Sequence, residues 1–566
     1  MPEKKAIPVG VEDFKELVDK EYYFIDKTLL IKDILDGGAK ISLITRPRRF
    51  GKTLNMSMIQ RFFEKTEESN AYLFEGLKIS KTGEEYLNHQ GQYPLISISL
   101  KGLKQNTYKQ AFFEFKKLII KEFGRHIEVY KSDILLPDDY KRYGLILYNE
   151  AEDAEYMTAL RLLSECLEKY YNKKVILLID EYDVPLENAH FRGFYDEMVS
   201  LIRSVFESVL KTNPSLEFAV LTGCLRISKE SIFTGMNNLR VYPVTENGLS
   251  EYYGFTQSEV EELAEYYDMQ DKLDELKTWY DGYLFGKTEI YNSWSIVNYI
   301  SSVRGGNDIS CKAYWINTSS NSIIHQLIEN SDSNTKQKIE TLIAGGSVKA
   351  LINENSVYSD LDVNKDDIWS FLLFTGYLKQ INSEFTEDGI VSEMVIPNLE
   401  VRAEYKQIIL NWFDDIVKKE RTPELLGFFL DEKPEEAQKE INRWLRKSIS
   451  FHDCLENFYH GFLLGAITGS DEYEIKSNRE NGNGRTDITI CEFQTRETAV
   501  IIEVKIAGTF KELSGRCDAA LEQIRTKKYA EQLTDDCYQK VISYGIAFYG
   551  KTCRVKMGET VYQNEE

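Results

Sequence analysis

The loop Arg46–Thr53 (RPRRFGKT) constrains the fold of this chain more than any other segment. It is entered from the short apolar run Ile41–Thr45 (ISLIT) and left through the helical stretch Leu54–Phe63. A run of that kind reads as a strand buried on both faces, the habit of parallel sheets. A strand that breaks into a glycine-containing loop and then a helix aims backbone N–H groups and the helix N-terminus at one spot, an anion site. Lys52 adds a mobile point charge suited to β- and γ-phosphates, and Thr53 adds a hydroxyl suited to Mg²⁺. The loop departs from GxxxxGK[ST] at its first position, where Arg46 stands in place of Gly. A second segment completes the site: Val175–Ile179 is an apolar strand that delivers Asp180 and Glu181 at its carboxyl end, where open α/β sheets place ligands. Asp180 is expected in the Mg²⁺ shell, and Glu181 is expected to polarise an attacking water. The candidate nucleotide contacts are Arg46, Pro47, Arg48, Arg49, Phe50, Gly51, Lys52, Thr53 and Leu54, with Asp180 behind them.

Strands and helices alternate over the first ~250 residues, which predicts a parallel α/β domain. The expected strands are Ile41–Thr45, Leu95–Leu100, Val175–Ile179, Phe218–Thr222 and Val241–Val244, with amphipathic helices at Tyr108–Phe123 and Ala154–Tyr171. A phosphate loop after the first strand and Asp-Glu after the third suggest the ASCE division of P-loop ATPases. There the fourth strand ends in a polar sensor, a position held by Thr222. Arg226 follows with two readings, phosphate sensor or surface salt bridge. At 566 residues the chain is too long for one core. The expected division is an ATPase domain over 1–250, a helical lid over 251–335, a winged-helix-like region over 336–410, a helical connector over 411–445 and a last α/β domain over 446–566. The winged helix rests on a helix at Ile368–Lys379 followed by a hairpin, Gln380–Phe385 and Ile390–Ile396. It suits docking on the ATPase as well as DNA. The aromatic segment Trp279–Phe285 (WYDGYLF) reads as core in preference to an adenine pocket.

A net charge of −22 argues against diffuse adhesion to nucleic acid while leaving room for a local basic channel. Two basic clusters exist, Arg46, Arg48 and Arg49 in the loop, and Lys511, Arg516, Arg525, Lys527 and Lys528 near the C-terminus. Eight cysteines are scattered without a CxxC pair, which predicts free thiols and fits a reducing cytoplasm. No signal peptide and no membrane span is expected. The six histidines are dispersed and are read as structural or surface residues without a metal role.

A second constellation lies near the C-terminus. In the strand Ala499–Lys505 (AVIIEVK), residues two apart share a face, so Glu503 and Lys505 point together while Val504 faces the other way. Asp487 lies on the preceding strand, Thr486–Cys491, a hairpin neighbour. Two acids and a lysine on one edge can hold Mg²⁺ and set a cation on a scissile phosphate. Glu456 could add a ligand. Gln523 and Tyr529 are expected on one helix with Arg525, Lys527 and Lys528, suited to backbone phosphates. Glu–Lys pairs commonly do no more than neutralise each other on a solvated face, so the weight rests on the whole set.

Together these residues resemble the bacterial AAA-ATPase-like family, whose members carry RPRRFGK[ST] and LIDEYD and commonly end in a PD-(D/E)xK nuclease-like domain. The resemblance includes Ile7–Phe14, Phe24–Leu29, Arg46–Leu54, Leu178–Leu186, Thr222–Arg226, Trp279–Gly286, Tyr314–Asn321 and Pro397–Val401. Asn483–Asp487, Ile502–Lys505 and Ala520–Tyr529 complete it. The family's own Arg at the first loop position accounts for Arg46. The resemblance implies a P-loop AAA-like ATPase joined to a restriction-endonuclease-like domain, with ATP and Mg²⁺ as cofactors and nucleic acid, DNA first, as partner. Homo-oligomerisation stays open. Two functions compete: an ATP-dependent protein whose nucleotide state gates a Mg²⁺-dependent nuclease, and a nucleotide-controlled switch whose C-terminal domain binds nucleic acid or protein without cutting.

Overall fold

The computed structural model describes residues 4–226, 232–233, 236–306, 310–315, 327–328, 331–354, 358–360, 366–405, 424–447, 459, 463, 467, 473–481, 484–492, 496–535 and 538–562. The chain forms two compact units, one of residues 1–324 and 347–403, the other of residues 325–346 and 404–566.

The first unit is built on a five-stranded sheet of β1 (Ile41–Thr45), β2 (Leu95–Ser99), β3 (Val175–Asp180), β4 (Leu216–Gly223) and β5 (Leu239–Tyr242). Its order is β2-β3-β4-β1-β5, and each neighbouring pair is parallel. Every residue of β1 and β3 is buried, as expected of apolar runs covered by helices on both faces. The order has a chemical consequence. Inserting β4 between β1 and β3 sets its carboxyl end between the phosphate loop and the Asp180–Glu181 pair. The registers Ile44↔Thr222 and Ile179↔Leu221 then bring Thr222 beside both.

Residues 250–306 are more than a helical lid. Helices Gln257–Tyr266, Leu273–Tyr280 and Ser293–Arg304 flank in sequence a small antiparallel hairpin of β6 (Tyr283–Phe285) and β7 (Thr288–Ile290). The helix Gln257–Tyr266 starts at a full capping box, Thr256 with Glu259, which fixes its first turn. Tyr280, Tyr283 and Phe285 of the aromatic segment are all buried, and the segment is core. Further on, β8 (Val348–Ile352), β9 (Lys379–Thr386) and β10 (Gly389–Val395) form an antiparallel sheet in the order β8-β10-β9. The helix Asp367–Phe374 leads into this hairpin through Gly376, whose φ of +89° only glycine adopts at low cost.

The second unit carries a sheet of β11 (Tyr473–Asn481), β12 (Gly484–Glu492), β13 (Thr498–Ile506), β14 (Lys540–Tyr549) and β15 (Thr552–Met557), in that order. A short β16 (Val561–Tyr562) pairs with β14. Only β13 and β14 run parallel, and the helix Leu513–Thr526 makes the crossover between them. Gly545, register partner of Glu503, faces this helix: a Cβ there would lie 2.4 Å from Cys517 O. The close approach fixes how deeply the helix sits over the Glu503 face.

Candidate active sites

In the first unit, Thr53 Oγ1 donates to Asp180 Oδ2 at 2.8 Å, and Thr222 Oγ1 donates to the other carboxylate oxygen, Oδ1. Thr222 Oγ1 also accepts the Glu181 amide at 3.3 Å. A single hydroxyl at the end of β4 thereby orients both acids at the end of β3. Glu181 has φ +55°, a left-handed conformation that costs a non-glycine residue free energy and recurs at functional sites. Its Oε2 is buried without a hydrogen-bond partner among the described residues. Burial, then the neighbouring Glu181 charge, pushes the Asp180 carboxyl above its ordinary range.

Lys52 is buried, with Nζ 3.0 Å from both Arg46 O and Pro47 O, 3.4 Å from Glu181 Oε1 and 3.7 Å from Cys224 Sγ. Burial works against its charge, but the Cys224 thiol and the carboxylates of Glu181, Asp183 and Asp180 outweigh it and hold the ammonium above its ordinary pKa. Asp183 accepts from the amides of Cys224 and Leu225 at 2.8 and 2.9 Å and pins the chain leaving β4. Burial, reinforced by Glu181, moves its carboxyl up to about 7.

The three loop arginines part company. Arg46 is a correction to the reading of this residue as a nucleotide contact. Its guanidinium is fully buried and donates to Thr45 O, Tyr242 O and Gly248 O, between the rings of Tyr253 and Phe285. Its amide donates to Gly223 O. Arg46 is therefore a strut joining β1, β5 and the chain after β5. Arg48 pairs with Glu187; burial opposes its charge, but that carboxylate more than offsets the cost. Arg49 has φ +70° and lies 3.8 Å over the Trp294 ring. Pro47 contributes its carbonyl to Lys52, and Phe50 is buried against Tyr283 and Phe285. Arg226 has its Nε buried without a partner among the described residues.

Arg48–Asn55 and Glu181 line a cavity of about 360 Å³. Its remaining wall comes from Ile7, Pro8 and Gly10–Glu12, from Tyr23–Ile25 and Lys27, and from Tyr252, Phe255, Ser293, Trp294 and Val297 among others. None of the residues 279–285 lines it. The apolar side has the size and character of a cavity for a flat ring, and the loop side those of a phosphate cradle. In the sequence the segments Ile7–Phe14 and Phe24–Leu29 stand out only as family features, because nothing local says which cavity a short apolar stretch will wall.

In the second unit the β12–β13 ladder ends at Ile488↔Ile502, so Asp487 stands opposite Glu503 one step beyond it. Asp487 Oδ2 accepts the Val504 amide at 2.8 Å, standing in for the lost ladder partner. Lys505 Nζ lies 3.1 Å from Glu503 Oε1, which also accepts from Gln523. Glu503 is buried, and its Oε2 has no partner among the described residues. Burial and the Asp487 charge push its carboxyl up to about 7. Gln523 and Tyr529 do not share a helix. Leu513–Thr526 ends at Lys527, Lys528 takes φ +58°, and Tyr529 opens a new helix, Tyr529–Asp535. That break turns the chain so that Tyr529 packs into the core. Arg525 and Lys528 are exposed and paired with Glu522 and Glu531. Glu456 lies outside the described residues.

Both sites offer oxygen donors suited to Mg²⁺. Among the described residues, no three His, Cys, Asp or Glu side chains gather as a metal cluster. Mg²⁺ is held by one or two carboxylates with waters and phosphates, so Thr53 with Asp180, and Asp487 with the unpaired Glu503 Oε2, fit it.

Residues 8–233 match the family described as "Predicted AAA-ATPase". Those residues form an AAA-ATPase-like domain. Residues 454–558 match the PD-(D/E)XK nuclease superfamily. An uncharacterised protein from the vnfD 5′ region of Azotobacter chroococcum is 22% identical over 410 residues, 72% of this chain and 70% of that one. A Walker-type ATPase of Pyrococcus abyssi is 14% identical with a TM-score of 0.37, over 68% of this chain and 96% of that one. The ORC2 protein of Aeropyrum pernix is 11% identical with a TM-score of 0.25, over 72% and 96%. The six described cysteines (166, 224, 311, 491, 517 and 553) are free and buried. No helix among the described residues is long and apolar enough to cross a membrane.

Proposed function

We propose that this protein binds and hydrolyses ATP in its first unit and that nucleotide state gates a Mg²⁺-dependent nuclease in its second, acting on nucleic acid in the cytoplasm. The observation that carries the reading is the buried Glu503, with one oxygen held by Lys505 and Gln523 and the other unpaired among the described residues, opposite Asp487. A domain used only for binding has no need of a buried acid kept in that state beside a second acid and a lysine.

In the first unit, Lys52 and the amides of the loop hold the phosphates, and Asp180 with Thr53 holds the cation. Mg²⁺ when bound neutralises phosphate charge there, and at Asp487 and Glu503 it activates water and polarises the scissile phosphate. Glu181, strained and with Oε2 unpaired, takes the hydrogen bond of the attacking water. Thr222 keeps Asp180 and Glu181 in register, and Arg226 offers a buried, unsatisfied donor for a γ-phosphate. At the second site Lys505 stabilises charge that develops on the scissile phosphate. A tight gate requires nucleotide to prefer one arrangement by about 5 kcal/mol, within reach of several charge-assisted contacts from Lys52 and Arg226. Residues 251–335 act as the lid in this reading.

The test is a cleavage assay on single- and double-stranded DNA and RNA with Mg²⁺ or Mn²⁺, with and without ATP. Cleavage that depends on both metal and nucleotide supports the proposal. No cleavage under any condition, with no metal detected at Asp487 and Glu503 by titration, hands the C-terminal domain to the binding-switch reading.

A further inference from the structure

Successive carbonyls of the phosphate loop are tied by groups from one stretch of the chain. Arg48 O accepts from Trp315 Nε1 at 3.3 Å, Arg49 O from Ser293 Oγ at 3.2 Å, and Phe50 O from the Gly254 amide at 3.1 Å. In a planar trans peptide the carbonyl of one residue and the N–H of the next point in opposite directions. Tying the carbonyls of Arg48, Arg49 and Phe50 to that wall therefore turns the amides of Arg49, Phe50 and Gly51 away from it, into the cradle around Lys52. The left-handed φ of Arg49 and Gly51, +70° and +80°, suits a run of amides converging on one anion.

The Ser293 and Trp315 parts of that wall lead back to one buried carboxylate. Glu400, in helical residues 399–405, has no exposed surface. Its Oε1 accepts from the amides of Tyr314 and Trp315 at 2.7 and 2.8 Å, and its Oε2 from Ser295 Oγ at 2.8 Å. Trp294 Nε1 closes the arrangement on Tyr314 O at 3.2 Å, while the Trp294 ring carries Arg49. Burying a carboxyl is costly unless hydrogen bonds compensate it, and here the donors that do so are those of Ser295, Tyr314 and Trp315, while Glu400 does not line the cavity.

We propose that Glu400 is a positioning residue for nucleotide phosphates: through Ser295, Tyr314 and Trp315 it sets the wall that orients the loop amides, without touching the ligand. The inference rests on the reading of Arg46–Thr53 as an ATP site and names how that site is pre-shaped. Burial pushes the Glu400 carboxyl up to about 7, so the protonated form is accessible and Gln, which accepts at one atom and donates at the other, can reproduce it.

The experiment measures ATP, ADP and AMP affinities of the full-length protein by calorimetry, for wild type, Trp315→Phe, Glu400→Ala and Glu400→Gln. Trp315→Phe keeps an aromatic ring while deleting the indole N–H donor, and it should weaken ATP about fivefold, the worth of one hydrogen bond. Glu400→Ala should weaken ATP about tenfold or more, and Glu400→Gln should stay near wild type. The loss should shrink from ATP to AMP, since only phosphate contacts are affected. A merely structural role would lower all three affinities alike. If Glu400→Ala fails to fold, Trp315→Phe still decides. Wild-type ATP binding with variants that match it, or that lose AMP as much as ATP, overturns this inference alone. Absence of ATP binding by the wild type overturns the nucleotide site itself.

Discussion

Replacing Lys52 with Ala removes a buried cation that sits among the acids of the first site. In the free protein Nζ sits on the carbonyls of Arg46 and Pro47 and 3.4 Å from Glu181, with Asp180 and Asp183 close enough to raise its pKa. On nucleotide binding those carbonyl contacts are exchanged for charge-assisted contacts to phosphate oxygens, each worth ~1.5–3 kcal/mol. Allowing for the contacts given up, the net loss in the variant is about 3 kcal/mol, a roughly hundredfold weaker Mg-ATP affinity. The same substitution leaves three acids in a buried cluster without their cation, and breaking such a pairing typically costs another ~3 kcal/mol of stability. That second loss carries a pH signature. Asp180 and Asp183 are already pushed up by burial, Asp183 to about 7, and losing Lys52 raises them further. The folded variant then takes up protons that the unfolded chain does not, so its stability deficit shrinks as pH falls from 8 to 6. Calorimetry with Mg-ATP and thermal unfolding at pH 6 and pH 8 measure the two effects. An affinity within twofold of wild type would falsify the assignment of Lys52 to the phosphates.

Other outcomes are as specific. Glu181→Gln should retain ATP binding and lose most turnover in a phosphate-release assay; wild-type turnover would move the water-activating role to another acid, Asp183 first. Asp487→Ala and Glu503→Ala should each abolish cleavage while leaving ATP hydrolysis intact, and Lys505→Ala should cost on the order of 3 kcal/mol in transition-state stabilisation without loss of metal binding by titration. Gly223→Ala should lower the unfolding temperature, because its Cβ would lie 2.6 Å from the Tyr182 ring and 2.7 Å from Asp183 Oδ1, an overpacking worth about 1–3 kcal/mol. Glu400, at about 7 folded and near the ordinary 4.5 unfolded, binds a proton on folding between those pH values, so its contribution falls as pH rises through that window. Melting curves of wild type and Glu400→Gln should therefore diverge from pH 5 to 7, by up to ~3 kcal/mol, and run parallel above it.

The sequence by itself determined the strands of the first sheet, the phosphate loop, the placing of Asp180 and Glu181 at the end of a strand, and that of Asp487, Glu503 and Lys505 on two neighbouring strands. These are local matters: an apolar run, a glycine before a helix and the alternation of side chains are written in adjacent residues. The tertiary structure decided which of the loop arginines faces inward. Arg46 is the one drawn into the core, because its partners, Tyr242 and Gly248, arrive from about two hundred residues away. It also decided that Gln523 and Tyr529 part at Lys528, since the core takes the Tyr529 ring and a continuous helix could not deliver it there. Glu400 shows the same limit most plainly. An acid in the stretch PNLEV reads as a surface residue until Tyr314, Trp315 and Ser295 are brought around it, and hydrogen-bond partners that distant leave no mark on the local pattern.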